Sequence, residues 1–406
     1  MEKKSVAVTN KKVSKYIPEE ISFSILSKLP VKSLKQFECV QKSWSLLFEN
    51  HYFMNMFRNN FLSYSDPASL MVRVFENKKQ VFYHFYGEKY ENKVKLDWLN
   101  SSEEVDNCTS MFGFGSVNGT LCLKGYVNYG QIVLWNPTTQ TTKVLPPGEA
   151  ESSIPDNAKD YADVCVLSYL HGFGYDHVRN DYKVIRYVDV FIESVGEYTE
   201  DLEEIISLGR MIDTKFGPSW EIYSLRSNSW RKIDVDMPYS LLSYGTKAYM
   251  DGVCHWLCKT DSTVGSCLVS FYLSNETFFI TSLPSDVDYG FDVKAPWIKL
   301  AVLNGSIALI SYYKETATFH ITILGEFGTK ESWTKLLIVG PLSCVERPIG
   351  GVGRKGEIFF IRKDNELVWL DLSTQMIAEL GYKVVNPHIR ILTYKDDILP
   401  IEGISN

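Results

Sequence analysis

The sequence predicts an α+β multidomain chain: a small three-helix module followed by an all-β, propeller-like domain of about six blades, with a stacked β-sandwich as the alternative. Three observations predict it. Between Tyr16 and Leu47 large apolar residues recur at helical spacing. From about Ala68 the period changes to two, in short runs punctuated by Gly, Asn, Asp and Pro. Those runs repeat loosely at about 46 to 52 residues, a length that suits a four-stranded propeller blade.

The chain opens with a basic tail, residues 1–14, expected to be disordered; its lysines cluster between Lys3 and Lys15. No apolar run follows them, so no secretory signal is read and the expected compartment is the cytoplasm or the nucleus. The helical module spans 15–60. Pro18 suits the first position of a helix, and Ile21, Ile25, Leu26 and Leu29 follow at helical intervals before Leu29-Pro30 stops it. A second start lies at Ser33, where Gln36 completes a possible capping box and Leu34, Phe37 and Val40 share a face. Trp44, Leu47 and Phe48 open a third helical segment, broken near Asn50, that runs on through Phe53 and Phe57. So small a module buries only part of this apolar surface internally, and the remainder is available to a partner.

The β domain spans 68–400. Runs such as "LMVRVF", "QIVLWN", "WEIYSL", "SIALISYY" and "LVWLDL" read as strands. A strand, a polar or Ser/Thr-rich corner and a second strand recur at "LWNPTTQTTKVLP" from Leu134, and again from Tyr223, Phe271, Ile323 and Trp369. The interval between 134 and 223 has room for another unit around "GFGYDHVRNDYKVIRY". With a blade shared between residues near 70–100 and the C-terminal "HIRILTYKDDIL", the count reaches six. "NGT" at Asn118 and "NGS" at Asn304 read as turns.

A net charge of −7 argues against a general nucleic-acid binder, which needs clustered Lys and Arg. The longest apolar run, "LAVLNGSIALI" from Leu300, is interrupted and too short to span a membrane. The 8 cysteines are scattered and read as reduced thiols. No cofactor, metal or catalytic residue is expected. "GVGRKG" from Gly351 satisfies a G-x-G-x-x-G pattern, but it precedes the strand "EIFFIR" where a phosphate loop needs a helix N-terminus. "CHWLC" from Cys254 lacks a second pair, and strand alternation sends neighbouring side chains to opposite faces. No nucleophile elbow or triad is legible. Two acidic insertions, from Gly148 and from Glu193, are expected to be loops between strands of neighbouring units. Glu197, Glu200, Asp201, Glu203 and Glu204 are candidate target-facing residues that would favour a basic partner.

The segment from Ile17 to Leu47 resembles the F-box, whose pattern stands here as Ile17-Pro18-Glu19-Glu20, Ile25-Leu26, Leu29-Pro30-Val31-Lys32-Ser33-Leu34, Phe37, Cys39-Val40, Lys42-Ser43-Trp44 and Leu47. Ile17 replaces the usual Leu, and Gln36 stands where Arg is common. The remainder resembles the plant F-box-associated, kelch-like region, through "GSVNGTLCL", "IVLWNPTT", "GFGYDHVRNDYKVIR", "EIYSLRSNSWR", "DGVCHWL" and "WLDLSTQ" in that order. Kelch blades repeat a Gly-Gly doublet, and this chain has one, Gly350-Gly351.

The resemblance implies a non-catalytic substrate receptor of a Skp-cullin-F-box ubiquitin ligase. Its F-box would bind a Skp/ASK-type adaptor, and through it a cullin and a RING protein; its β domain would bind a target for ubiquitination and proteasomal degradation. The adaptor contacts that carry over are Pro18, Ile21, Leu26, Leu29, Pro30, Leu34, Phe37, Val40, Trp44 and Leu47, although some of these must instead hold the helices together. A narrower expectation is an S-locus-F-box-like protein recognising a basic secreted ribonuclease. The rival expectations are an adaptor-bound scaffold or a glycan reader acting outside a ligase, and a kelch-like copper oxidase.

Overall fold

A computed structural model describes residues 17–29, 33, 34, 37, 40, 44, 46–63, 69–76, 79–96, 109–111, 115–125, 131–148, 152, 164–192, 218–239, 247–259, 266–284, 298–329, 332–353, 356–385, 389–397 and 401. Among these, helix α1 spans Glu19–Leu26 and helix α2 spans His51–Ser63, with a 3-10 turn at Leu47–Glu49 between them. Ser33, Leu34 and Phe37 have helical backbone, but most of the stretch expected to form a middle helix lies outside the described residues, so three helices are not established. Pro18 is the residue before α1 rather than its first helical residue: its ψ is 144°, and its carbonyl accepts the Ile21 and Ser22 N–H groups. Asn50 makes the expected break. Its extended backbone ends the 3-10 turn, and its Oδ1 accepts the Phe53 N–H at 3.0 Å to start α2.

The described strands form six four-stranded sheets, all antiparallel. Blade 2 contains β4 (Thr109–Met111), β5 (Leu121–Gly125), β6 (Ile132–Asn136) and β7 (Thr141–Val144). Blade 3 contains β8 (Val164–Asp176), β9 (Asp181–Ile192), β10 (Ser219–Ser224) and β11 (Ser229–Ile233). Blade 4 runs through β12 (Lys247–Met250), β13 (Val253–Lys259), β14 (Ser266–Tyr272) and β15 (Phe278–Ser282). Blade 5 has β16 (Ile298–Leu303), β17 (Ser306–Tyr313), β18 (Thr318–Leu324) and β19 (Trp333–Val339), and blade 6 has β20 (Val345–Val352), β21 (Ile358–Arg362), β22 (Glu366–Leu370) and β23 (Ile377–Lys383). Blade 1 joins both ends of the domain: β24 (Arg390–Tyr394) pairs with β1 (Ser69–Glu76), followed by β2 (Lys79–Tyr86) and β3 (Asn92–Leu96). Separate sheets of this kind, closed by a shared blade, make a six-bladed propeller and not a two-layer sandwich. "GFGYDHVRNDYKVIRY" is not a separate unit. It is the β8–β9 hairpin, the inner half of blade 3.

Period two explains why the ring holds together. Tyr182 and Val184 of β9 point into the seam between blades 2 and 3, and Ile185 and Tyr187 into the seam between 3 and 4. Cys254, Trp256 and Cys258 of β13 face blade 3, while Leu257 between them faces blade 5. Each blade thus offers two apolar faces, and six cores result, one per seam. Each fully buried Val, Leu, Ile or Phe contributes roughly 1.5–3 kcal/mol. Gly174 lets blade 4 approach β8, since a Cβ there would lie 2.3 Å from the Tyr249 ring and 2.8 Å from Leu273. The recurring polar corner is an Asx turn: Asn136 Oδ1 accepts the Thr138 and Thr139 N–H groups, and Asp371 Oδ1 accepts those of Ser373 and Thr374. Asn118-Gly119 and Asn304-Gly305 take positive φ at both residues, the type I′ hairpin geometry.

Candidate adaptor-binding surface

In α1, residues three apart share a face, and Phe23 and Leu26 are buried there. They meet α2, where Phe23 packs edge-on against Phe53 at 5.5 Å and Phe57 stacks on Phe53. Asn60 Nδ2 donates to Ser27 Oγ at 2.8 Å and ties the ends of the two helices together. Leu34, Leu47, Phe53, Met54 and Phe57 complete a core that is continuous with the seam between blades 5 and 6. The module's own apolar interior is thus filled from within and from the propeller.

What remains is the opposite face of α1, where Ile21 and Ile25, four apart, are 52% and 57% exposed, and Ile17, just before the helix, is 61% exposed. Val40, Leu46 and Tyr52 are also exposed, which is unusual for large apolar side chains on so small a module. Glu19 and Glu20 lie in the first turn of α1, where carboxylates complement the helix dipole.

The structure divides the residues expected to contact an adaptor. Leu26, Leu34 and Leu47 are buried; Leu29, Phe37 and Trp44 are half-buried against the same core, with Phe37 edge-on to Trp44 at 6.0 Å. Pro18, Ile21 and Val40 are exposed, and Pro30 lies outside the described residues. Ile25 was not among the expected contacts. The signal that finds it is its position one helical turn beyond Ile21, out of phase with Phe23 and Leu26. Glu197, Glu200, Asp201, Glu203 and Glu204 all lie outside the described residues.

The chemistry weighed from sequence falls into packed strands. Cys254, Cys258 and Cys267 are buried in the seam of blades 3 and 4, with Cys258 directly opposite Cys267 across the strand pair. His255 points the other way, shares a hydrogen bond with Ser270 Oγ at 2.9 Å and lies against the Phe327 ring; burial pushes its imidazole down to about 3. No group of three or more His, Cys, Asp or Glu among the described residues is placed to hold a metal ion. Gly351 and Val352 of "GVGRKG" end β20, and the next described element after the motif is the strand β21, not a helix. No helix among the described residues is long and apolar enough to cross a membrane.

Residues 93–391 match the F-box associated beta propeller domain family. Among curated proteins, the chain is 25% identical over 389 residues to F-box protein CPR1 of Arabidopsis thaliana, covering 90% of this chain and 84% of that one. It is 26% identical over 344 residues to the F-box/kelch-repeat protein At3g23880 of the same plant, covering 82% of each. To F-box protein At4g19940 it is 25% identical over 363 residues, covering 85% of this chain and 79% of the relative. With a filled helical module at one end and six closed blades in the remainder, the chain belongs to the plant F-box proteins that carry an F-box associated β-propeller domain.

Proposed function

We propose that the chain is the target-recognition subunit of a Skp-cullin-F-box ubiquitin ligase. Residues 15–60 would dock on a Skp/ASK-type adaptor, and the β domain, 68–400, would hold a protein for ubiquitination and proteasomal degradation in the cytoplasm or nucleus. The single observation that carries this reading is the exposed pair Ile21 and Ile25 on a helix whose opposite face is already packed, with Ile17 exposed just before it. An amphipathic helix with a second apolar face is what helix-groove recognition uses. Pro18 and Val40 extend the proposed contact, whereas Leu26, Leu34 and Leu47 support it from beneath. The role is non-catalytic: the receptor raises the local concentration of a target lysine at an enzyme borne by other subunits.

The test is affinity capture of the intact chain with a proteasome inhibitor present. Ile21→Glu with Ile25→Glu should lose adaptor and cullin together while keeping proteins bound to the β domain. Recovery of adaptor by wild type and double variant alike overturns the docking face; recovery by neither overturns the ligase reading. The acidic insertion from Glu193 forms part of the same proposal, as an electrostatic guide for a basic target. Reversing Glu203 and Glu204 to Lys should slow target association; an unchanged association rate removes that element.

A further inference from the structure

At the outer end of the seam between blades 6 and 1, an ammonium group lies among three rings. Strand alternation puts Tyr83 and Phe85 of β2 on one face, and register sets Lys93 of β3 directly across from Phe85. That face packs toward blade 6, whose outermost strand, β23, brings Tyr382 alongside. Tyr83 and Tyr382 stand 6.3 Å apart with their planes at 53°, and Tyr83 and Phe85 stand 6.4 Å apart at 65°, so the rings converge from different angles. Lys93 Nζ sits where they meet, 3.9 Å from the centre of Tyr83, 4.8 Å from that of Tyr382 and 5.7 Å from that of Phe85.

The rings are fixed from behind, whereas the lysine is not. Phe85 is buried in the core of the seam, and the Tyr83 hydroxyl donates to Glu76 Oε1 at 2.7 Å. Burial, then that bond to Glu76, pushes the Tyr83 hydroxyl up to about 12, so it keeps the proton that ties the ring in place. Burial, then Glu76, raises the Tyr382 hydroxyl as well, so one carboxylate acts on both tyrosines and adds its charge to the pull of their faces on a cation. Lys95, across from Tyr83, meets Glu76 at 3.8 Å. Among the described residues the Lys93 ammonium has the rings for contacts and no carboxylate, and Lys93 is exposed. It can therefore swing into water and leave the rings standing. While tethered it competes at high effective concentration, so an incoming cation must suit the rings better than a primary ammonium does. A quaternary ammonium does so, and aromatic cages are the sites that recognise it.

We propose that Tyr83, Phe85 and Tyr382 form an aromatic cage for a quaternary ammonium group, with Lys93 as its displaceable plug. The source of that group, a trimethylated lysine of a target protein, rests on the target-recognition reading; the cage itself stands independently of adaptor binding.

The full-length chain is titrated with tetramethylammonium chloride at matched ionic strength, and binding is followed by saturation-transfer NMR of the methyl signal. Wild type should bind weakly and saturably. Lys93→Ser should bind at least threefold more tightly, a gain that loss of folding cannot mimic. Tyr382→Leu should weaken binding at least tenfold at an unchanged thermal midpoint, while Tyr382→Phe, which keeps the ring, retains it. Lys363→Ser, exposed beyond β21, should change nothing. In a second arm the chain is passed over degenerate peptide beads centred on trimethyllysine or on lysine. Retention on the trimethyllysine beads alone, competed by tetramethylammonium, supports a target protein as the source; tetramethylammonium binding without retention supports the cage and overturns the peptide source in favour of a small quaternary ammonium compound. Absence of binding by Lys93→Ser, or equal binding by wild type and either Lys93→Ser or Tyr382→Leu, overturns the proposal and leaves Lys93 a purely structural contact. A chain that binds tetramethylammonium yet captures no adaptor keeps the cage and refutes the ligase reading alone.

Discussion

Replacing Ile17, Ile21 and Ile25 together by Ser separates the two roles that apolar residues play in the helical module. Full burial of an Ile side chain is worth roughly 1.5–3 kcal/mol. At 61%, 52% and 57% exposure, about half of that is still to be gained on docking, or about 1 kcal/mol per residue. Three such residues give about 3 kcal/mol, an adaptor affinity lowered ~100-fold. Ser and Ile have similar helix propensities, and exposed substitutions usually change stability by less than about 0.5 kcal/mol, so the thermal midpoint should hardly move. Leu26→Ala is the contrasting variant. At 4% exposure it opens a cavity beneath α1 that costs roughly 2–5 kcal/mol, and any loss of adaptor binding should follow the loss of fold. The assay is biolayer interferometry of the purified chain against a recombinant Skp-type adaptor, with thermal unfolding alongside. Binding by the triple Ser variant within threefold of wild type would refute the reasoning, as would a Leu26→Ala chain that loses binding at an unchanged midpoint.

Burial, then Lys124, pushes the Lys247 ammonium from its ordinary 10.5 down to about 7, so between those values the unfolded chain binds more protons and stability rises with pH; Lys247→Met should flatten that rise in midpoints measured at pH 7 and pH 9. Gly174→Ala drives a methyl into Tyr249 and Leu273 and should cost roughly 1–3 kcal/mol or more in denaturant unfolding. Arg186 donates to Glu221 Oε2 through Nε and Nη2 at 2.8 and 2.6 Å, both residues being buried; Glu221→Leu takes the carboxylate from a buried guanidinium and should cost roughly 3–5 kcal/mol, with Arg186→Met in addition restoring much of it. Ending the chain before Arg390 withdraws Ile391, Leu392 and Tyr394 from two seams, roughly 5–9 kcal/mol at ordinary burial values, and hydrogen exchange should then show blade 1 unprotected.

The blades were legible because strand period and turn chemistry are local. Asn136, Asp371 and the Asn-Gly pairs carry their own turn geometry, so the corners repeat in the sequence as they do in space. The hairpin around Gly172 looked like an extra unit because β8 and β9 are the longest strands in the ring and a long insertion separates them from β10, which stretches that blade beyond the repeat length. The docking face was only half legible. Periodicity finds apolar residues on a helix, but Ile21 and Leu26 are equally apolar, and which one meets solvent depends on where α2 and the propeller lie.

Ring closure couples the two ends of the domain. β24 latches the ring by pairing with β1, whereas the helical module packs on the seam of blades 5 and 6. The module is anchored away from blade 1, so its docking face needs no contribution from the latch. Loss of the last strand should thus strip blade 1 of hydrogen-exchange protection before it affects adaptor capture. A chain that lacked β24 and lost adaptor capture together with blade 1 would show that module and latch form one cooperative unit.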